Sequence, residues 1–282
     1  MRILLVGIGY RGYTPFYAQA LRGLGHEVTT YVGTLQYDML TRLHRLARVR
    51  IPSLLGVERE YSWSDQQRFL AWFRRTRPRV DLVLFANSDR LTTDETLQEM
   101  TDAGIPTGIW LLDDVELPVT AGVDFRLFAY HATFSAVQAP RLSEVWGREF
   151  LYVPQGFAPI PFQAATASWN SGLVLGNAYP SRRAAAEALL QAGYAVDVVG
   201  RTWPHHVTSS NALTIHKDVT LAQSLTMSSN GRICANGHRS TDAGVGPRVF
   251  EIAAAAGVLI DDNPRSPDFF EPDREMLTWA ST

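Results

Sequence analysis

Residues 246–262, GPRVFEIAAAAGVLIDD, read as a short helix running directly into a buried strand. Pro247 sits where a first helical turn tolerates it, and Phe250 to Ala256 are mostly good helix formers. Gly257 ends the helix, and Val258 to Ile260 form an apolar run. A helix feeding an apolar strand is half of a βαβ unit, so this stretch predicts an α/β protein with a parallel sheet. Within it, Arg248 and Glu251 stand three residues apart on one helix face near the amino terminus. Charges in so apolar a segment need partners. One reading is an intrahelical ion pair. The other is a helix start that holds an anionic or hydroxyl-rich ligand, Arg248 meeting phosphate and Glu251 accepting from sugar hydroxyls.

The same alternation extends outward from this stretch. Upstream in the second half come a strand at 173–175, a loop through Gly176 and Asn177, and a helix from Ser181, expected as its cap, to 192. A strand at 195–199 follows, with Gly200 and Trp203, both expected as ligand contacts, turning away from its end. Then come a short strand at 214–216, a helix at 221–227 and a strand at 232–235; a last strand at 275–279 follows the quoted segment. The first half alternates likewise, with strands expected at 2–6, 27–32, 80–85, 107–112, 125–129 and 151–153. Helices are expected at 14–24, 37–50, 62–76, 93–103 and 135–146. Residues 154–172 are rich in proline, alanine and small polar residues and lack periodicity, which predicts a linker at 157–171 between domains 1–156 and 172–282. The fold class expected is two Rossmann-like βα domains whose parallel sheets face a central cleft.

Composition limits the function. The chain has 282 residues, 46% hydrophobic and 19% charged, and its net charge of −2 argues against a general polyanion binder. The single cysteine, Cys234, cannot form an internal disulfide, which fits a reducing, cytoplasmic compartment. There is no cysteine cluster for structural zinc, and the apolar run in MRILLVGIG is too short for a signal peptide or a membrane span. Between Arg42 and Arg79 ten arginines face three acidic residues. That is either a solvated arginine face or a docking surface for an anionic acceptor, a membrane surface or nucleic acid.

Parallel sheets hold ligands at the carboxyl ends of their strands, so loops there are the candidate site. Gly7, Gly9 and Gly12 have dinucleotide-fingerprint spacing, but the next strand ends in Tyr31, Val32 and Gly33 without the acidic residue a ribose would need. The glycines then serve a close backbone approach in a cleft. Asn87, Ser88 and Asp89 follow one strand, and Asp113 and Asp114 follow the next. The doubled aspartate reads as a general base toward an acceptor hydroxyl or as a helix-capping turn. No further ligands accompany it, so no metal site is expected. His131, after a strand end, reads as structural.

Several ordered pieces resemble the CgeB-like (spore maturation) glycosyltransferases, a branch of the two-domain GT-B architecture. In the first half these are GHEV at 25–28, the strand before Ala86 and Asn87, WLLDD at 110–114 and VPQGF at 153–157. In the second they are GNAYPSR at 176–182, VVGRTW at 198–203, NGHR at 236–239, RVFEIAAAAG at 248–257 and FFEPDRE at 269–275. The resemblance implies transfer of a sugar from a nucleotide-diphosphate sugar, held by the second domain, to an acceptor held by the first. It implies no cofactor and no catalytic metal. Glu251 matches the glutamate that receives the donor ribose, and Arg248 a residue near the phosphates. Gly176, Asn177 and Arg182 match the loop and helix start facing the diphosphate, with Asn236, His238 and Arg239 facing the same cleft. The position eight residues before Glu251 is Ala243, beside Asp242, so the resemblance carries no stereochemical outcome. The family's closing helices after the last strand have no counterpart before Thr282. The other expected functions are a nucleotide-sugar epimerase on the same architecture and a non-catalytic coat or scaffold protein.

Overall fold

The computed structural model describes residues 1–8, 13–33, 63–88, 91–112, 123–157, 160–166, 170–217, 219–238 and 244–278. Gly9, Gly12, Asp113, Asp114, Arg239, Asp242, Ala243 and the helix expected at 37–50 lie outside the described residues. The chain divides into two compact units, Met1–Thr133 with Gln138–Tyr152, and Phe134–Val137 with Val153–Thr282.

The first unit contains β1 (Arg2–Ile8), α1 (Tyr13–Gly23), β2 (Glu27–Gly33), α2 (Trp63–Thr76), β3 (Leu82–Ala86), α3 (Asp94–Asp102), β4 (Thr107–Leu111), β5 (Tyr130–Thr133), α4 (Gln138–Trp146) and β6 (Leu151–Tyr152). All strand pairings are parallel, in the order β2-β1-β3-β4-β5-β6. Successive side chains of a strand point to opposite faces, and here both faces are covered. Leu4 and Val6 pack with Phe69, Phe85 and Ile109, while Ile3 and Leu5 pack with Ala18 and Val28. This double burial is why the strands read as apolar runs rather than as alternating ones.

One expected strand is displaced. Within the run 125–129, Phe125–Leu127 is a single 3₁₀ turn whose cap, Asp124, accepts from the Arg126 amide, and Ala129 is the residue that reaches β4, its amide donating to the Thr107 carbonyl at 2.8 Å. The strand begins at Tyr130, so His131 lies inside β5 rather than beyond a strand end. Its Nε2 is 2.6 Å from the Phe125 carbonyl, and burial lowers its pKa from the ordinary 6.5.

The second unit contains β7 (Ser171–Leu175), α5 (Pro180–Gln191), β8 (Ala195–Val199), β9 (Leu213–His216), α6 (Leu221–Ser228), β10 (Ile233–Asn236), α7 (Pro247–Ala254), β11 (Val258–Asp261) and β12 (Leu277–Thr278). Its sheet is also parallel throughout, in the order β12-β11-β10-β7-β8-β9. Val174 packs with Ala186 and Trp203 on one face; Leu173 and Leu175 pack with Val249, Ile252 and Leu259 on the other. The segment before β7 is tied down by hydrogen bonds: Ser229 Oγ accepts from the Ala165 amide at 2.8 Å, and Thr226 Oγ1 donates to the Gln163 carbonyl at 2.7 Å.

Helix α7 starts where the sequence places it, with Pro247 in the first turn and Gly246 as cap. Its end differs: the left-handed residue is Ala256, at φ 57°, not Gly257. Gly257 is required for a different reason, since a Cβ there would lie 2.5 Å from the Ser228 carbonyl oxygen.

Candidate functional site

In both sheets the chain reverses direction of growth once, between β1 and β3 and between β7 and β10. Adjacent loops leave a parallel sheet on opposite sides at such a point and open a crevice at the strands' carboxyl ends. In the second unit that crevice brings together most of the residues singled out in sequence.

From β7, Gly176 turns at φ 109°, and from β8, Gly200 approaches it so closely that a Cβ on Gly200 would lie 2.4 Å from the Gly176 oxygen. Trp203, expected as a ligand contact, is fully buried and instead donates its indole N–H to that same oxygen at 2.8 Å. Its role is to hold the turn. The Ala178 amide donates to Thr202 Oγ1 at 2.8 Å, closing the loop onto β8. The turn delivers the chain into α5 with Pro180 at the first position and no side-chain cap, and the Arg183 amide donates to the Tyr179 carbonyl at 3.0 Å. Ser181, expected to cap, instead donates to the His238 carbonyl at 2.5 Å. Arg182, in the first turn, donates to the Asn177 carbonyl at 3.2 Å and lies 5.0 Å over the Tyr179 ring.

The exit of β10 packs against this helix start: a Cβ on Gly237 would lie 2.8 Å from the Arg182 amide nitrogen. Asn236, at the strand end, donates to Asp261 Oδ1 at 2.7 Å. His238 Nδ1 lies 2.9 Å from Asp262 Oδ1, which also accepts the His238 amide at 2.9 Å. Ser266 Oγ donates to the other Asp261 oxygen. Asp261 is fully buried, and burial pushes its carboxyl above the usual range, opposed first by His238. Register explains the meeting: β10 and β11 pair Asn236 with Asp261, so the residues that follow each strand leave side by side. The 24-residue gap between His238 and Asp262 concealed this cluster in the sequence.

The Arg248–Glu251 pair of α7 forms the intrahelical contact, Arg248 Nη1 donating to Glu251 Oε2 at 2.7 Å. Glu251 is 1% exposed, which makes this ion pair far more consequential than a surface one.

Among the described residues of the first unit, the corresponding strand ends carry Asn87 and Ser88. Ser88 Oγ donates to the Val6 carbonyl at 2.7 Å, and Asn87 Oδ1 accepts from the Leu112 amide at 3.2 Å. A cavity of about 620 Å³ in this unit opens at the opposite end, where Thr107, Tyr130 and Leu151 begin β4, β5 and β6. It lies away from the strand ends that hold ligands in such folds. Among the described residues no helix is long and apolar enough to cross a membrane.

Residues 182–282 match a family model described as glycosyl transferase-like. The match spans Arg182, Asn236, His238, Arg248 and Glu251 and begins just after the Gly176 turn. Among solved structures, the chain is similar to the glycosyltransferase SnogD from Streptomyces nogalater, at 14% identity and a TM-score of 0.42, over 99% of this chain and 86% of that one. It is also similar to the spinosyn rhamnosyltransferase SpnG, solved with thymidine diphosphate, at 15% identity and a TM-score of 0.41, over 92% of this chain and 86% of that one. No curated protein matches the sequence.

Proposed function

We propose that this chain is a glycosyltransferase of the CgeB-like branch that moves a sugar from a nucleotide-diphosphate sugar to an acceptor hydroxyl. The observation that carries the reading is the convergence, at the switch point of the second sheet, of an uncapped helix start, Arg182 and the Asn236–His238 exit. The family match over the same residues supports it. Helix amides and an arginine suit a diphosphate, since both place positive charge where the leaving group gains negative charge. Arg248 joins them at the phosphates. Glu251 takes the ribose hydroxyls, exchanging its bond with Arg248 for ligand contacts. The remaining sequence candidates lie outside the described residues and keep the roles read from the sequence: Gly9, Gly12 and Arg239 as donor contacts, and Asp113 or Asp114 as base toward the acceptor.

A thermal-shift panel of UDP, TDP, GDP and ADP, each with its sugars, tests this. A ligand specific for the folded state at a hundred times its dissociation constant adds about 2.7 kcal/mol of stability. One base series should raise the melting temperature of the wild type, and that of E251A by about half as much or less. No shift with any of them contradicts the reading and favours a scaffold; turnover of the sugar nucleotide without acceptor favours the epimerase.

A further inference from the structure

We infer that His238, Asp261 and Asp262 form a binding site for one divalent cation of the manganese or zinc type, at the carboxyl ends of β10 and β11. The expectation of no metal site rested on the lack of a ligand cluster in sequence and on the family resemblance, and neither reveals three ligands that strand register brings together.

The geometry is that of a coordination sphere. One nitrogen and two carboxylates present their ligand atoms within 4.8 Å of one another. His238 Nδ1 stands 2.9 Å from Asp262 Oδ1 and 3.4 Å from Asp261 Oδ1. Two ligands each about 2.1 Å from an ion are separated by about 3.0 Å at a right angle and about 3.4 Å at a tetrahedral one. Both separations therefore fit an ion seated between the three groups with little movement. Neutral His238 with its proton on Nε2 offers the Nδ1 lone pair, and an imidazole with two carboxylates selects the middle of the divalent series.

The charge balance points the same way. Two consecutive carboxylates lie in the interior, with side-chain exposures of 0% and 3%, and among the described residues neither pairs with an arginine or lysine. Buried carboxylates whose one ionisable partner among the described residues is the His238 imidazole are costly. A cation relieves both at once. The ligands are also held from behind: Asn236 and Ser266 fix the two oxygens of Asp261, and the His238 amide fixes Asp262. Such outer contacts are what orient ligating side chains toward a metal.

His238 is joined through its carbonyl to Ser181 in the first turn of α5. The cation thus sits beside the proposed diphosphate site, and only this last placement rests on the glycosyltransferase reading.

The test is titration of Mn²⁺ into the full chain, followed by the loss of the free-ion electron paramagnetic resonance signal. One ion per chain is expected. D262N and H238N should each weaken binding by about tenfold or more, and E99Q, in the first unit, should not change it. Because the buried variants can unfold, the wild-type complex provides a second readout: its echo modulation should show one histidine nitrogen. No bound ion at millimolar Mn²⁺ or Zn²⁺, no nitrogen signal, or binding indifferent to both variants overturns the site. Intact Mn²⁺ binding with no response to any nucleoside diphosphate upholds the cation site and counts against the proposed function instead.

Discussion

The two units share one topology and differ in what they place at its functional edge. Each sheet is parallel and six-stranded and reverses once, giving each a crevice at the same place. In the first unit the described strand ends there are occupied by Ser88 and Asn87, both turned onto backbone groups of the sheet. In the second, the equivalent ends carry Arg182, His238, Asp261 and Asp262, with Arg248 and Glu251 on the next helix. A shared fold therefore does not imply a shared ligand: among the described residues the two edges differ in charge, and under the proposed function that difference favours the second unit for an anionic donor.

Breaking the second crevice outright should have the largest effect. G200A places a Cβ 2.4 Å from the Gly176 oxygen at a φ of 155°, so it should cost about 3 kcal/mol or more in chemical denaturation. W203F removes the buried hydrogen bond that the indole N–H donates to the Gly176 carbonyl. A loss of about 1–3 kcal/mol is expected by the same measurement.

Ligand binding sharpens the contrast. E251A should weaken nucleoside diphosphate affinity by about tenfold or more in calorimetry, since a hydrogen bond to a charged group is worth about 1.5–3 kcal/mol. N87A, at the matching edge of the first unit, should leave that affinity unchanged.

The smallest effect is one of pH. Burial holds the folded-state pKa of His131 below 6.5, so the unfolded chain takes up the proton first. Stability is then full above about pH 6.5 and falls as the solution is acidified toward the lowered value. H131N should flatten that part of the profile in melting curves taken across pH 5–7. In the second unit, burial pushes the Cys234 thiol up to about 12, so it should resist alkylation at pH 8 until the protein unfolds.

How much of this was legible in the sequence follows from range. Strands buried on both faces announce themselves as apolar runs, so eleven of the twelve were placed within a few residues. The exception is β5. FRLFA looks like a strand by composition, but the Asp124 carboxylate caps a turn at its start, and the true strand, YHAT, hides a histidine that is buried against a backbone carbonyl. The Arg248–Glu251 ion pair was legible because it forms within one helix, whereas Gly200 is required by the Gly176 oxygen 24 residues away. The bond of Ser181 to the His238 carbonyl and the contact of His238 with Asp262 were not legible, because the partners lie 57 and 24 residues apart and are brought together by the fold and not by spacing.

Hydrogen exchange with the nucleoside diphosphate of the best-responding base tests the central claim most directly. Protection should rise in residues 176–182, 236–238 and 247–251 and stay unchanged at 86–88 in the first unit. Protection confined to the first unit, or absent from all three segments of the second, would contradict the assignment of the donor site.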